Sequence, residues 1–306
     1  MPGLKRGTIF LTLIAFCLTA ALSSCSSRVH KNDADAAGEL RVYKDLSYAP
    51  GSKDPFQTLD LYLPRHPKQE PVPLIVWIHG GAWMSGDKNH PPLLPILDRG
   101  YAVASLNYRL SSQAVHPAQI NDCKAAIRFL RKEAKLYDLD PARIGVWGHS
   151  AGGHLAALLG TSGGVKELEG ELGNNEFSSR VQAVADWAGP TDLLTVGSQA
   201  PKNCRIDFSS PTNPVAVFLG ENRSPTAYLA ASPIQYASPD DPPVLILHAE
   251  DDDIVPVGQS REFSELLKKQ KVTHELLISP EGGHALSRSA FVNRTMDFFD
   301  KYLCGN

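Results

Sequence analysis

The chain has 306 residues, 30 Lys and Arg against 33 Asp and Glu, a net charge of −3 at neutral pH and 42% hydrophobic residues. That hydrophobic share suits a globular protein with a large core. The charge balance offers no field for nucleic acid, no basic stripe is interleaved with aromatics, and no repeat period or heptad run is present.

Lys5 and Arg6 precede an apolar run over residues 9–22 that is too short to span a bilayer comfortably, which is the form of an export signal. The run ends in Leu22-Ser23-Ser24-Cys25, which resembles the lipobox of bacterial lipoproteins. That resemblance implies cleavage before Cys25 and acylation of its thiol and new N-terminus. The expectation is a lipoprotein signal peptide over 1–24, a small and polar tether over 25–39, and a protein anchored in the bacterial cell envelope by lipid alone. Ordinary cleavage near Ser24, releasing a soluble secreted or periplasmic protein, is the alternative. Cys123, Cys204 and Cys304 would then remain, an odd number in an oxidising compartment, so at most one pair can form. None has metal-ligand spacing.

Strands and helices alternate beyond the tether. Residues 40–43 and 58–63 read as two opening, antiparallel strands, the second closed by Pro64. Residues 74–79, 101–108 and 244–248 are continuous apolar runs of the kind buried on both faces. A helix is expected over 117–137, with Ile120, Ala125, Ile127, Leu130 and Ala134 among polar positions. Strands over 143–147, 181–187 and 275–278 and helices after Ser150 and over 262–271 and 290–302 complete the pattern. Repeated βα units give an α/β class with a mostly parallel central sheet and helices on both faces. The stretches 161–180 and 195–241 break the rhythm. The second is too long for a bare connection and reads as an excursion over the carboxyl edge of the sheet, where ligands bind in such folds. A solvent-exposed insertion without function is the alternative.

The densest signal lies between strand and helix at Gly148-His149-Ser150-Ala151-Gly152, a G-x-S-x-G nucleophile elbow. A serine on a sharp strand-to-helix turn adopts strained angles, and flanking glycines let the two elements pass close to it. A serine hydroxyl needs a general base and an orienting carboxylate. In this architecture the chain order is Ser, then Asp or Glu, then His. Glu250-Asp251-Asp252-Asp253 follows one buried strand and His284 follows the last. His79-Gly80-Gly81-Ala82-Trp83 follows the strand at 74–79, where a glycine pair can turn backbone N–H groups inward as an oxyanion hole. Gly81 and Ala82 are the expected donors from this loop, with Ala151 after the nucleophile.

With Asn107-Tyr108-Arg109-Leu110, Asp140-Pro141-Ala142-Arg143-Ile144, Gly189-Pro190-Thr191-Asp192-Leu193 and Gly258-Gln259-Ser260 added, the chain resembles bacterial feruloyl and acetylxylan esterase-like proteins of the BD-FAE type. It is also similar to hormone-sensitive-lipase-like carboxylesterases and kynurenine formamidases. The resemblance covers roughly residues 43–303 and implies an α/β-hydrolase domain over 40–306 with a Ser150, Asp252, His284 triad and no cofactor or metal. In that family the acid stands four residues before the proline of the Val255-Pro256 pair, which selects Asp252 over Asp253. Ala82 replaces the third glycine of lipase-like relatives. Trp83 is expected to wall the substrate site or to pack, His149 to pack or line the pocket, His79 to brace its loop, and Arg109 to pair with Asp122. The implied activity is hydrolysis of short-chain acyl or feruloyl esters, small or linked to polysaccharide. An amidase or peptidase of the same fold, formamidase included, and a non-catalytic binding module are the alternatives. Oligomeric state is not legible.

Overall fold

A computed structural model describes residues 40–286 and 289–305. The expected signal peptide, the tether and Cys25 lie outside the described residues.

The chain opens with β1 (Arg41–Ser47), β2 (Thr58–Leu63) and β3 (Val72–Ile78), then α1 (Leu93–Asp98), β4 (Ala102–Leu106) and α2 (Ala118–Lys132). It continues with β5 (Leu139–His149), α3 (Ala151–Thr161), the single turn α4 (Lys166–Glu169) and β6 (Ala183–Trp187). The excursion carries α5 (Pro214–Leu219) and α6 (Pro225–Ala230). The last units are β7 (Val244–Ala249), α7 (Gly258–Lys269), β8 (His274–Ser279) and α8 (Ser289–Phe299).

The strands form one eight-stranded sheet in the order β1-β2-β4-β3-β5-β6-β7-β8. β2 runs antiparallel to both β1 and β4, and every pairing from β4 through β8 is parallel. The apolar runs in β4, β6 and β7 are buried at every position, as strands covered on both faces must be. One face packs Ile127, Leu155, Leu158, Phe263 and Leu267 from α2, α3 and α7, and the other packs Ile96, Met296, Phe298 and Phe299 from α1 and α8. Gly145 permits the close approach of α8, because a Cβ there would lie 2.7 Å from the Phe299 ring.

The parallel strands all point their carboxyl ends to one edge, and the loops leaving β3, β5, β7 and β8 meet there. The expected helix over 117–137 stops at Lys132, and Tyr137 turns back to pack against Tyr43 of β1.

Candidate active site

Ser150 is the single residue between β5 and α3, with φ 58° and ψ −123°. Such angles cost a non-glycine residue about 1–3 kcal/mol. Backbone bonds on both sides hold it there: Ser150 N donates to the Trp187 carbonyl at 2.8 Å, and His154 N donates to the Ser150 carbonyl at 2.9 Å. A Cβ at Gly148 would lie 2.1 Å from the Gly152 carbonyl oxygen, so strand and helix can pass this closely only with glycine at that position.

His284, on the loop after β8, brings Nε2 to 2.8 Å from Ser150 Oγ and Nδ1 to 2.8 Å from Asp252 Oδ2. Asp252 lies in the turn after β7, only 3% exposed, and its Oδ1 accepts from the backbone N–H groups of Ile254 at 2.8 Å and Val255 at 2.9 Å. Burial pushes this carboxyl up, but hydrogen bonds from His248 and His284 outweigh burial and hold it well below the usual carboxylate range. An ionised Asp252 can only accept, so His284 Nδ1 carries the proton and Nε2 is left to accept from the serine hydroxyl. Asp253, the other candidate acid, faces outward and pairs with Arg205 at 3.0 Å. Asp251 accepts from the backbone N–H of Gly283 at 2.8 Å and ties down the histidine loop.

The loop after β3 has three successive residues with positive φ: Gly81 at 109°, Ala82 at 55° and Trp83 at 58°. A Cβ at Gly81 would lie 2.2 Å from the Ser85 carbonyl oxygen. Among the described residues, none accepts from the N–H groups of Gly81, Ala82 or Ala151. His79 braces this loop: its Nδ1 donates to the Gly80 carbonyl at 2.7 Å, and its ring stacks on Tyr108 at 4.4 Å.

A recess of about 50 Å³ opens beside Ser150, lined by Ala82, Trp83, Val196, Phe208 and Val215 among others. Trp83 is a fixed wall. Its ring stacks on Phe218 at 4.4 Å, and its indole Nε1 donates to His154 Nδ1 at 3.2 Å. His154 in turn donates from Nε2 to the Ala231 carbonyl at 2.8 Å, and burial pushes its pKa down to about 3, which keeps the ring neutral. His149 lies outside the residues lining the recess. Its Nε2 donates to the His284 carbonyl at 2.6 Å, and burial pushes its pKa down to about 4. Its contacts are thus with His284, through that residue's carbonyl and ring to ring at 4.9 Å between centroids. Arg109 pairs with Asp122 at 2.9 Å away from the recess, and the described thiols of Cys123, Cys204 and Cys304 are free.

Two features had no role in the sequence reading. Gln259 accepts at Oε1 from the backbone N–H groups of Thr191 at 2.9 Å and Asp192 at 2.8 Å, which anchors the root of the excursion. His248 and Ser260 form a buried pair behind Asp252. The signal for both was the Gly258-Gln259-Ser260 mark, which sequence alone could not connect to its contacts.

The sequence profile of the BD-FAE family matches residues 59–267. Esterase LipQ of Mycobacterium tuberculosis is 32% identical over 82% of this chain, and the chain spans 59% of LipQ's length. A solved structure of a truncated form of a carbohydrate esterase from gut microbiota is 31% identical with a TM-score of 0.77, covering 89% of this chain and 99% of that one. A bifunctional GH43-CE protein of Bacteroides eggerthii is 35% identical with a TM-score of 0.75, over 86% of this chain and 35% of the other.

Proposed function

Since the chain belongs to the BD-FAE family of α/β-hydrolase esterases, we propose that it is a serine carboxylic-ester hydrolase that removes short acyl groups from carbohydrate-linked esters. The observation that carries this reading is the unbroken line of hydrogen bonds from Asp252 through His284 to Ser150 Oγ, 2.8 Å at each step.

In this reading His284 Nε2 takes the hydroxyl proton as Ser150 Oγ bonds to the ester carbonyl carbon. The carbonyl π pair moves onto oxygen, which the N–H groups of Gly81, Ala82 and Ala151 receive. Collapse breaks the bond to the alkoxy oxygen, and His284 returns its proton to the departing alcohol. Water then attacks the acyl-enzyme by the same steps, releasing the carboxylic acid and free Ser150.

The recess supports a short acyl group. At about 50 Å³, with Trp83, Phe208 and Val215 as apolar walls, it suits a short acyl chain better than an aromatic feruloyl group. The likeness to a carbohydrate esterase from gut microbiota supports a sugar as the alcohol. Export and lipid attachment at Cys25 would put the enzyme where polysaccharide is met. A series of p-nitrophenyl esters, run beside acetylated xylan and methyl ferulate, tests the substrate. Efficiency is expected to peak at or below four carbons, with acetate released from xylan. A peak at about ten carbons, or turnover of ferulate above acetate, would refute the short-acyl assignment.

A further inference from the structure

Asp252 is contacted by two histidines, and only one of them reaches the serine. His248, within β7, is fully buried. Its Nε2 lies 3.1 Å from Asp252 Oδ2 and 3.0 Å from the Val255 carbonyl oxygen, and its Nδ1 lies 2.7 Å from the buried Ser260 Oγ. A carboxylate and a carbonyl only accept, so Nε2 carries a proton. The Ser260 hydroxyl, able to donate or to accept, meets the ring at Nδ1. The opposite tautomer would aim a lone pair at two oxygens where water cannot intervene. The Asp252 and Val255 oxygens therefore select the form that donates to the acid, and Ser260, on the first turn of α7, anchors the other side of the ring.

We infer that His248, its ring anchored at Nδ1 by Ser260, is a positioning residue that fixes the rotation of the Asp252 carboxylate and shares its Oδ2 with His284. The inference rests on the serine-hydrolase reading of the same site. Together with Ile254 and Val255, the two histidines give the carboxylate four donors, two on each oxygen. Without His248, Oδ2 answers to His284 alone, and the carboxylate is free to tilt. Two effects follow. A less firmly oriented imidazole lowers kcat. The carboxylate charge also falls on fewer donors, which favours the imidazolium form of His284 and moves the acid limb of the kcat/KM profile to higher pH.

The surrounding charges do not share this role. His149 on β5 is neutral across the profile, its pKa pushed down to about 4 by burial. Asp253 is paired with Arg205 from the excursion, Glu250 is paired with Arg261 of α7, and Asp251 is tied to Gly283. A displaced acid limb therefore reports on the contact between His248 and Asp252. A residue that only filled space would change stability and leave the limb in place.

Three variants separate the donor from the volume: His248→Gln, whose amide nitrogen can still donate near the Nε2 position, His248→Leu, which cannot, and Ser260→Ala, which removes the anchor of the ring at Nδ1. Hydrolysis of p-nitrophenyl acetate is followed from about pH 5 to 9. His248→Leu and Ser260→Ala are expected to lose roughly tenfold to a hundredfold in kcat with KM little changed, the scale of losing a partner one step behind the reacting groups. Their acid limb moves up, and His248→Gln recovers most of both properties. Wild-type kcat and an unmoved limb in His248→Leu and Ser260→Ala would overturn the inference, as would a His248→Gln protein as impaired as His248→Leu. If His248→Leu does not fold, Ser260→Ala decides by the same two readouts. Fluorophosphonate labelling of the wild type reads the hydrolase assignment separately. A labelled wild type with indifferent variants sinks only the role of His248.

Discussion

Replacing Asp186 by Asn should make the protein's stability less dependent on pH, by an amount set by one buried carboxyl. Asp186 lies on β6 opposite Gly148 and is fully buried. Its Oδ1 accepts from the Gly189 N–H at 2.9 Å, while its Oδ2 has no hydrogen-bond partner among the described residues. The side chain packs against the first turn of α3, since a Cβ at Gly153 would lie 2.4 Å from Oδ1. Burial pushes its pKa from the ordinary 3.8 up to about 7, against a smaller downward pull from the Gly189 bond. Folding thus raises this pKa, and the folded chain binds more protons here than the unfolded chain over that interval. The stability the protonated group allows is fully present below pH 3.8, falls as pH rises, and is lost once pH passes about 7. At 1.36 kcal/mol for each pH unit, the whole interval is worth about 4 kcal/mol, and the part between about pH 5 and 7 about 3 kcal/mol. Asn keeps an acceptor for Gly189 and carries no charge at any pH. Urea unfolding followed by tryptophan fluorescence, with Trp187 as the next residue, measures both proteins. Between about pH 5 and 8 the Asn variant should gain about 3 kcal/mol on the wild type. A wild-type-to-variant difference that stays flat from pH 5 to 8 would refute the reasoning.

Two further outcomes follow from the recess and from the proposed leader. Phe208→Ala should enlarge the acyl side of the recess, and kcat/KM for octanoate relative to acetate should rise roughly tenfold, the scale of one or two methylenes in an apolar pocket. An unchanged chain-length profile would move the acyl group elsewhere. Cys25→Ala should release the protein from membranes and abolish globomycin-sensitive processing. Full retention on membranes would end the lipobox reading.

The strands around the site were legible because their apolar runs are buried on both faces, a pattern that survives any tertiary context. β4, β6 and β7 lie where that pattern places them, with ends differing by one or two residues. The grouping of Ser150, Asp252 and His284 was legible because a strained serine demands glycines at fixed spacing and the other two each follow their own strand. The excursion was not. Asn213-Pro214 and Gly220 mark the start and stop of α5, yet six residues are too few to show a helical period, so its contribution of Val215 to the recess stayed hidden. His149 was legible as a residue near the serine, but not as one whose ring holds the His284 carbonyl from 135 residues away. Nor could sequence join His248 to Ser260, since a histidine ending an apolar strand reads as core packing until its two nitrogens are given partners.

The central claim is that Ser150 is the nucleophile, and covalent labelling tests it most directly. Wild-type protein treated with a fluorophosphonate should gain one adduct by intact mass, mapped by peptide analysis to Ser150. Ser150→Ala should gain none and should lose p-nitrophenyl acetate turnover by up to about 10⁶-fold. An adduct on another residue, or a Ser150→Ala protein that hydrolyses the ester at the wild-type rate, would contradict the account.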